Sequence, residues 1–235
     1  MHAKYSKLHS LLRSEACFLC YHWIYMVNKT MKQVILLSTS SITKKALARS
    51  LKQTMQELPL SKITVKQIVN HCGVNRQTFY YHFQDIYDLL GWIYQTEAID
   101  SLSPFRSYQT WTQGLYTIFT YIENNKAFCL NTLHSLARSH LDSYLYAATY
   151  DLMLGVVHEV SSSMRVADED KSFLANFYTL AFTGLVIQWM QDGMKEPPSR
   201  IVKRLSELME GNFERALQRY EKCPKSRQWH EYVQK

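Results

Sequence analysis

Glycine and proline are scarce in this chain, at 7 and 5 of 235 residues, which excludes collagen-like and Pro/Gly-rich disordered classes. Beyond residue 90 no run alternates apolar and polar residues with the period of two that a half-buried strand needs. Glycine-rich phosphate loops are missing, both the Walker and the dinucleotide type, and there is no Gly-x-Ser-x-Gly elbow for a nucleophile. Cysteine is sparse: Cys17, Cys20, Cys72, Cys129 and Cys223 are odd in number and lack a framework spacing. Such usage suits reduced thiols in a cytoplasmic protein, not a disulfide-stapled secreted one. Cys17-x-x-Cys20, with His9 and His22 nearby, lacks the second pair that a zinc site requires. His158-Glu159 starts like a zinc-protease helix, but position 162 is Ser where the second His should stand. Nothing makes His134, His140 and His158 converge. We therefore expect no catalytic residue, no metal and no cofactor; the all-helical enzyme remains the alternative from another functional class.

Long hydrophobic runs are absent from the first part of the chain as well. The stretch 16–27 is apolar for 12 residues, short of the roughly 20 that span a bilayer, and no small-x-small cleavage pattern follows it. No membrane partner is expected. Residues 1–40 read as an extension ahead of the folded domains, poorly ordered or a loosely attached helix, with Met31 as the natural initiator; 223–235 read as a tail. The whole chain is 46% apolar and 20% charged with 16 tyrosines, the profile of a globular, helix-rich protein.

The net charge of +7 is unevenly placed. Residues 41–90 hold seven Lys/Arg against three Asp/Glu, residues 1–40 five against one, and residues 91–235 fifteen against sixteen. A basic end on a neutral body fits a polyanion-binding head carried by a separate core.

Within 41–90 three helices can be read. Leu47, Ala48, Leu51 and Met55 share one face of the first, which Pro59 ends. Thr64 and Gln67 form a capping box for the second, Val65 to Cys72, and Gly73 suits its C-cap. Asn75 then caps a third, Arg76 to Phe83. Two helices of about eight residues joined by a turn of about three have the spacing of a DNA-reading helix-turn-helix. With Val65, Ile68, Val69, Val74, Phe79 and Phe83 turned inward, Arg76, Gln77, Thr78, Tyr80, Tyr81 and His82 are left outside without one aliphatic residue among them. Arg pairs with guanine edges and Gln with adenine, so this surface suits a major groove.

The segment 64–83, with Gly-Val-x-x-x-Thr-Phe-Tyr-Tyr-His-Phe at its end and Asp85-Ile-Tyr-Asp-Leu-Leu90 after it, resembles the DNA-binding domain of the TetR/AcrR transcriptional regulators. The resemblance implies that Arg76, Gln77, Thr78 and Tyr81 face base edges, while Tyr80, His82, Thr64 and Lys66 hold phosphates. Where the family usually carries a Lys phosphate clamp, this chain has Ile86, so Lys44, Lys45 or the basic extension would have to compensate.

Residues 91–222 read as an all-α body, with helices over 87–99, 109–122, 125–138, 141–163, 169–193 and 199–221. The segment 173–190 is apolar on nearly every side and must be covered on every side. The 199–221 helix carries an apolar stripe from Ile201 to Tyr220. Paired with their copies in a second chain, these two helices would form a four-helix interface. Phe182, Leu185, Trp189, Leu205, Leu208 and Phe213 are its candidate residues, and Gly184 would let a neighbouring helix approach closely. The segment 184–198 resembles the TetR subgroup of dihydroxyacetone-kinase regulators. The family resemblance implies a cytoplasmic homodimeric repressor of palindromic operator DNA, released by a small-molecule effector. Trp111, Phe119, Tyr150 and Phe177 are the named candidates for an effector pocket. Control by a protein partner, without such a pocket, is the alternative.

Overall fold

The computed structural model describes residues 40–222, and the chain divides into two compact units between Arg49 and Ser50. The extension with its Cys17-x-x-Cys20 pair and the 16–27 run, and the tail 223–235, lie outside the described residues. Among the described residues every regular element is helical. Helix α1 covers 40–57, with Leu47 and Ala48 buried in its first half and Leu51 and Met55 in its second. The second unit holds the rest of the head: a 3-10 turn Leu60–Lys62, α2 (Val65–Cys72), α3 (Arg76–His82) and the start of α4 (Ile86–Tyr94).

Local chemistry accounts for these boundaries. Thr64 and Gln67 close a reciprocal capping box at the start of α2, and Gly73, at φ 72°, caps its end. The Asn75 side chain accepts the Thr78 amide at 2.7 Å and so starts α3. Asp85 does the same for α4 through the Asp88 amide at 2.8 Å. The interior of this unit's head is apolar: Leu51, Met55, Ile63, Ile68, Val69, Phe79 and Phe83 are all buried. One buried hydroxyl is satisfied there, Ser50 donating to the Ile68 carbonyl at 2.7 Å.

Helix α4 continues through a π turn, Gln95–Ile99, into a 3-10 segment, Asp100–Phe105, rather than ending at 99 as the sequence pattern suggested. The body then follows as α5 (Trp111–Asn124), α6 (Lys126–Leu133), α7 (Arg138–Val160), α8 (Asp168–Gln191), α9 (Pro198–Met209) and α10 (Asn212–Lys222). The long helices α7 and α8 form its most extensive pairing. Helix α8 is long and apolar enough by composition to cross a bilayer, yet half of its most apolar stretch is buried inside the protein. Thr179 and Thr183 lie on that buried side, and the Thr179 hydroxyl donates to the Ala175 carbonyl at 2.7 Å.

Two helices expected to be continuous are broken. The 199–221 stripe is interrupted at Gly211, whose φ of 67° lies in the left-handed region that only glycine adopts readily. Asn212 donates back to the Leu208 carbonyl and seals the break. The stripe therefore belongs to two helices with different neighbours. The 125–138 segment is broken likewise: α6 ends at Leu133 and the turn 134–137 reorients the chain into α7.

Candidate nucleic-acid interface

Helix α3 buries a single side chain, Phe79, which is 0% exposed and meets Phe83 ring to ring at 6.0 Å. That anchor fixes the rotation of the helix. Arg76, Gln77, Tyr80 and Tyr81 are thereby exposed, Tyr81 at 76% against 53% for Tyr80. His82 is half-buried, with its ring 4.9 Å from that of Tyr81 in an edge-on contact. Arg76, Lys62 and Lys66 are exposed and enter none of the ion pairs found among the described residues. The outer surface of α3, which exposes no aliphatic side chain, is thus cationic and aromatic with donors aimed outward, a combination suited to phosphates and base edges.

Two residues expected to contact DNA already have hydrogen-bond duties. The Thr64 hydroxyl donates to Gln67 Oε1 at 2.8 Å while that same oxygen accepts the Thr64 amide at 2.8 Å. The Thr78 hydroxyl donates to Asn75 Oδ1 at 2.9 Å. Each hydroxyl proton is committed to a helix cap, Thr64 at the start of α2 and Thr78 at the start of α3. Lys66 keeps its exposed position on α2. Lys44, half-buried, and Lys45, exposed, belong to the first unit. At the start of α4 there is no cation: Ile86 is half-buried, and the carboxylates of Asp85 and Asp88 accept the Asp88 and Gln84 amides at 2.8 and 2.9 Å.

The residues expected at a subunit interface separate into two groups. Phe182, Trp189, Leu205 and Phe213 are buried within the protein itself. Phe182 stacks on Trp111 at 5.9 Å, Trp189 meets Phe119 edge-on at 5.0 Å, and Phe213 lies against Tyr178 at 4.8 Å. Most of their apolar surface is covered by this chain, with Trp189 and Leu205 keeping a small share open to a groove. This corrects the expectation from sequence, which took an all-apolar helix without knowing which side its own domain covers. Leu185 and Leu208 are exposed, at 44% and 66%, and on α8 they are joined by Phe173, Phe177 and Leu180. Leu185 and Leu208 border a groove of about 820 Å³ between α8 and α9, floored by Trp189 and Leu205 and flanked by Arg204 and Glu207.

The four aromatic residues proposed for an effector pocket do not converge. Phe119 is core, Phe177 is on the outer face of α8, and Tyr150 is half-buried and stacked on Tyr146 at 5.7 Å. Trp111 is buried on one side, and on the other it borders a groove of about 350 Å³ lined also by Tyr108, Thr112, Ser206 and Glu210. Sequence reasoning missed Asn131, which lies on α6 and bonds to the end of α1 more than 70 positions earlier. No motif in the sequence could have signalled it.

Comparison with known proteins is consistent across both parts of the chain. Residues 52–91 match the family described as bacterial regulatory proteins, tetR family, and residues 109–211 match a transcriptional regulator C-terminal region of the same group. A curated relative from Lactococcus lactis subsp. lactis (strain IL1403), the HTH-type dhaKLM operon transcriptional activator DhaS, is 25% identical over 148 residues, 62% of this chain and 78% of its own. Among solved structures, the dihydroxyacetone kinase operon activator DhaS superposes with a TM-score of 0.62 at 20% identity, covering 77% of this chain and 98% of the other. The fatty acid degradation regulator FadR from Bacillus halodurans gives a TM-score of 0.56 at 16% identity, over 72% and 95%. NalD of Pseudomonas aeruginosa, the secondary repressor of the MexAB-OprM efflux pump, gives 0.54 at 14%, over 73% and 96%. These structural likenesses describe the fold.

Proposed function

Because the chain belongs to the TetR family of DNA-binding transcriptional regulators, matched over more than half of its length, we propose that it binds a palindromic operator as a homodimer, one α3 in each half-site. The observation that carries this reading is α3 itself. A seven-residue helix pinned by one phenylalanine and otherwise presenting Arg76, Gln77, Tyr80 and Tyr81 has no evident use in a core. Arg76 and Gln77 would address base edges bidentately, Tyr81 would lie against the groove wall, and Tyr80, His82 and Lys66 would fix register on phosphates. Lys44 and Lys45 would add backbone charge that the start of α4 does not provide.

The second copy is argued from the uncovered stripe on α8. Phe173, Phe177 and Leu180 repeat at four- and three-residue spacing along one exposed face, Leu185 lies at its edge, and Leu208 adds an exposed apolar side chain on α9. A two-fold pairing of this face with itself would cover these side chains and present one recognition helix to each half-site. The protein would act in the cytoplasm.

For the sign of regulation we adopt activation in place of the repression expected from the family. The relative alike in both sequence and fold is an operon activator, whereas the repressor is alike in fold alone at 14% identity. A small-molecule effector would enter between α5 and α9, where the groove beside Trp111 adjoins another of about 520 Å³ that shares Thr112, Ser206 and Glu207 with it. It would act only through unequal affinity for two head arrangements.

The test is selection of duplex DNA from a random pool at fixed salt. An inverted repeat is the expected outcome, with affinity falling steeply as salt rises and promoter activity rising when the site is occupied. Arg76→Ala should cost about 1–3 kcal/mol and relax one base position. A protein that stays monomeric, or duplex affinity indifferent to Arg76→Ala and Tyr81→Ala, would overturn the reading.

A further inference from the structure

Covalently, the head continues into the body only through α4, and one helix does not by itself hold a domain at a fixed angle. The noncovalent ties are therefore informative. Two link the second half of α1 to the body. In one, Lys52 Nζ sits 2.6 Å from Glu97 Oε2 on the π turn, that oxygen also accepts the Tyr121 hydroxyl at 3.2 Å, and the ammonium lies 5.8 Å from the Tyr121 and Phe128 rings. In the other, Asn131 of α6 uses both ends of its amide. Nδ2 donates to the Met55 carbonyl at 2.9 Å and to the Leu58 carbonyl at 2.7 Å, and Oδ1 accepts the Leu60 amide at 2.8 Å.

The partners of Asn131 are the groups that the end of a helix and the following turn leave unpaired. A planar amide bonded in three directions has one permitted orientation, so the terminus of α1 is fixed relative to α6 in position and in angle. The Lys52–Glu97 pair is partly exposed, with side-chain accessibilities of 23% and 34%, and weakens as salt screens it. The neutral amide contacts do not. Of these two ties from α1, the Asn131 contacts are the one that salt leaves in place.

We infer that Asn131 is a positioning residue for DNA recognition: it holds the helix-turn-helix at one angle on the dimerisation body and thereby sets the half-site spacing that the protein accepts. The inference rests on the homodimer–operator reading above. One base-pair step is about 3.4 Å along the duplex axis, so even a modest swing of each head brings a wrongly spaced site into reach. Losing the tie therefore loosens the choice among spacings before it touches the contacts within one half-site.

The experiment compares full-length wild type with Asn131→Leu and Asn131→Asp on three duplexes: the selected operator, the same half-sites moved apart by one base pair, and a single half-site. Aspartate keeps the acceptor for Leu60 and loses both donors. Wild type should prefer the native spacing by about tenfold or more. Asn131→Leu should bind the single half-site as wild type does while its preference between spacings shrinks to about twofold, and Asn131→Asp, whose carboxylate faces the Met55 and Leu58 carbonyls, should lose at least as much of that preference. Retained preference in Asn131→Leu overturns the inference. So does an equal loss on all three duplexes by both variants, which would mark a folding role only. A wild type that binds the single half-site as tightly as the operator overturns the dimer reading instead, and is recognised without either variant.

Discussion

Substituting Gly184 by alanine reads out the subunit interface through the sign of its effect. Gly184 is exposed near the middle of the outer face of α8, and a Cβ built there meets no atom of its own chain within 4 Å. In an isolated protomer the substitution can only help, since alanine in a helix interior is favoured over glycine by about 0.8–1.0 kcal/mol. For a chain of this length that is a rise of about 2–4 °C in Tm. In the proposed homodimer the same face lies against a partner helix, and an added methyl in a packed contact costs about 1–3 kcal/mol. Two-fold symmetry repeats the cost, so dimerisation weakens by about 2–6 kcal/mol, a factor of about 30 to more than 10⁴ in dissociation constant. Sedimentation equilibrium over a dilution series, run beside thermal unfolding at each concentration, separates the two effects. Dimer loss with an undamaged or improved protomer is the expected result. A more stable protein with unchanged dimer affinity would show that no helix approaches Gly184 and would refute the seam drawn along α8.

Three further outcomes follow from the geometry. Gly155→Ala should destabilise by about 1–3 kcal/mol, lowering Tm in calorimetry, because the new Cβ would stand 2.5 Å from the Arg106 carbonyl oxygen of the crossing chain; an unchanged Tm would show that this crossing yields freely. Asn75→Ala removes the cap of α3 and should cost about 1 kcal/mol per recognition helix, about fivefold in affinity for a half-site, with Asn75→Asp restoring most of it in the same binding assay. Stability should fall at alkaline pH. Burial pushes the Cys129 thiol up to about 12 and raises Tyr94, Tyr121 and Tyr144 above the usual phenol range. Folding raises these pKa values, so the unfolded chain loses the protons first and the stability they contribute is present below pH 9 and lost above it. Denaturant titrations should show about 1.4 kcal/mol lost per pH unit from Cys129 above pH 9, and on the order of 5 kcal/mol per unit once the three tyrosines join above pH 10. A flat profile to pH 11 would contradict their burial.

Much of the head was legible from residues three or four apart. Thr64 with Gln67, Gly73 after Cys72, and Asn75 before Arg76 each satisfy backbone groups of their own turn, so their meaning survives without any tertiary context. The exposed set on α3 was legible for the same reason: once Phe79 is inward, helical periodicity places Arg76, Gln77, Tyr80 and Tyr81 outward. The break at Gly211 was written in the sequence but masked by an apolar stripe that ran through it.

Other features had no local expression. An α8 that is apolar all round reads identically whichever side its own domain covers, and only packing assigned Phe182 and Trp189 to the interior and left Phe177 and Leu185 outside. That the Thr64 and Thr78 hydroxyl protons are taken up by Gln67 and Asn75 was visible only in the structure. Asn131 read as an unremarkable polar residue until folding brought it to three unpaired groups at the end of a distant helix. Sequence by itself determined where the caps and turns of α2 and α3 fall, because those groups satisfy their own backbone. Only the tertiary structure decided which surfaces remained free, because burial is a competition among all segments at once and no short stretch of chain contains its result.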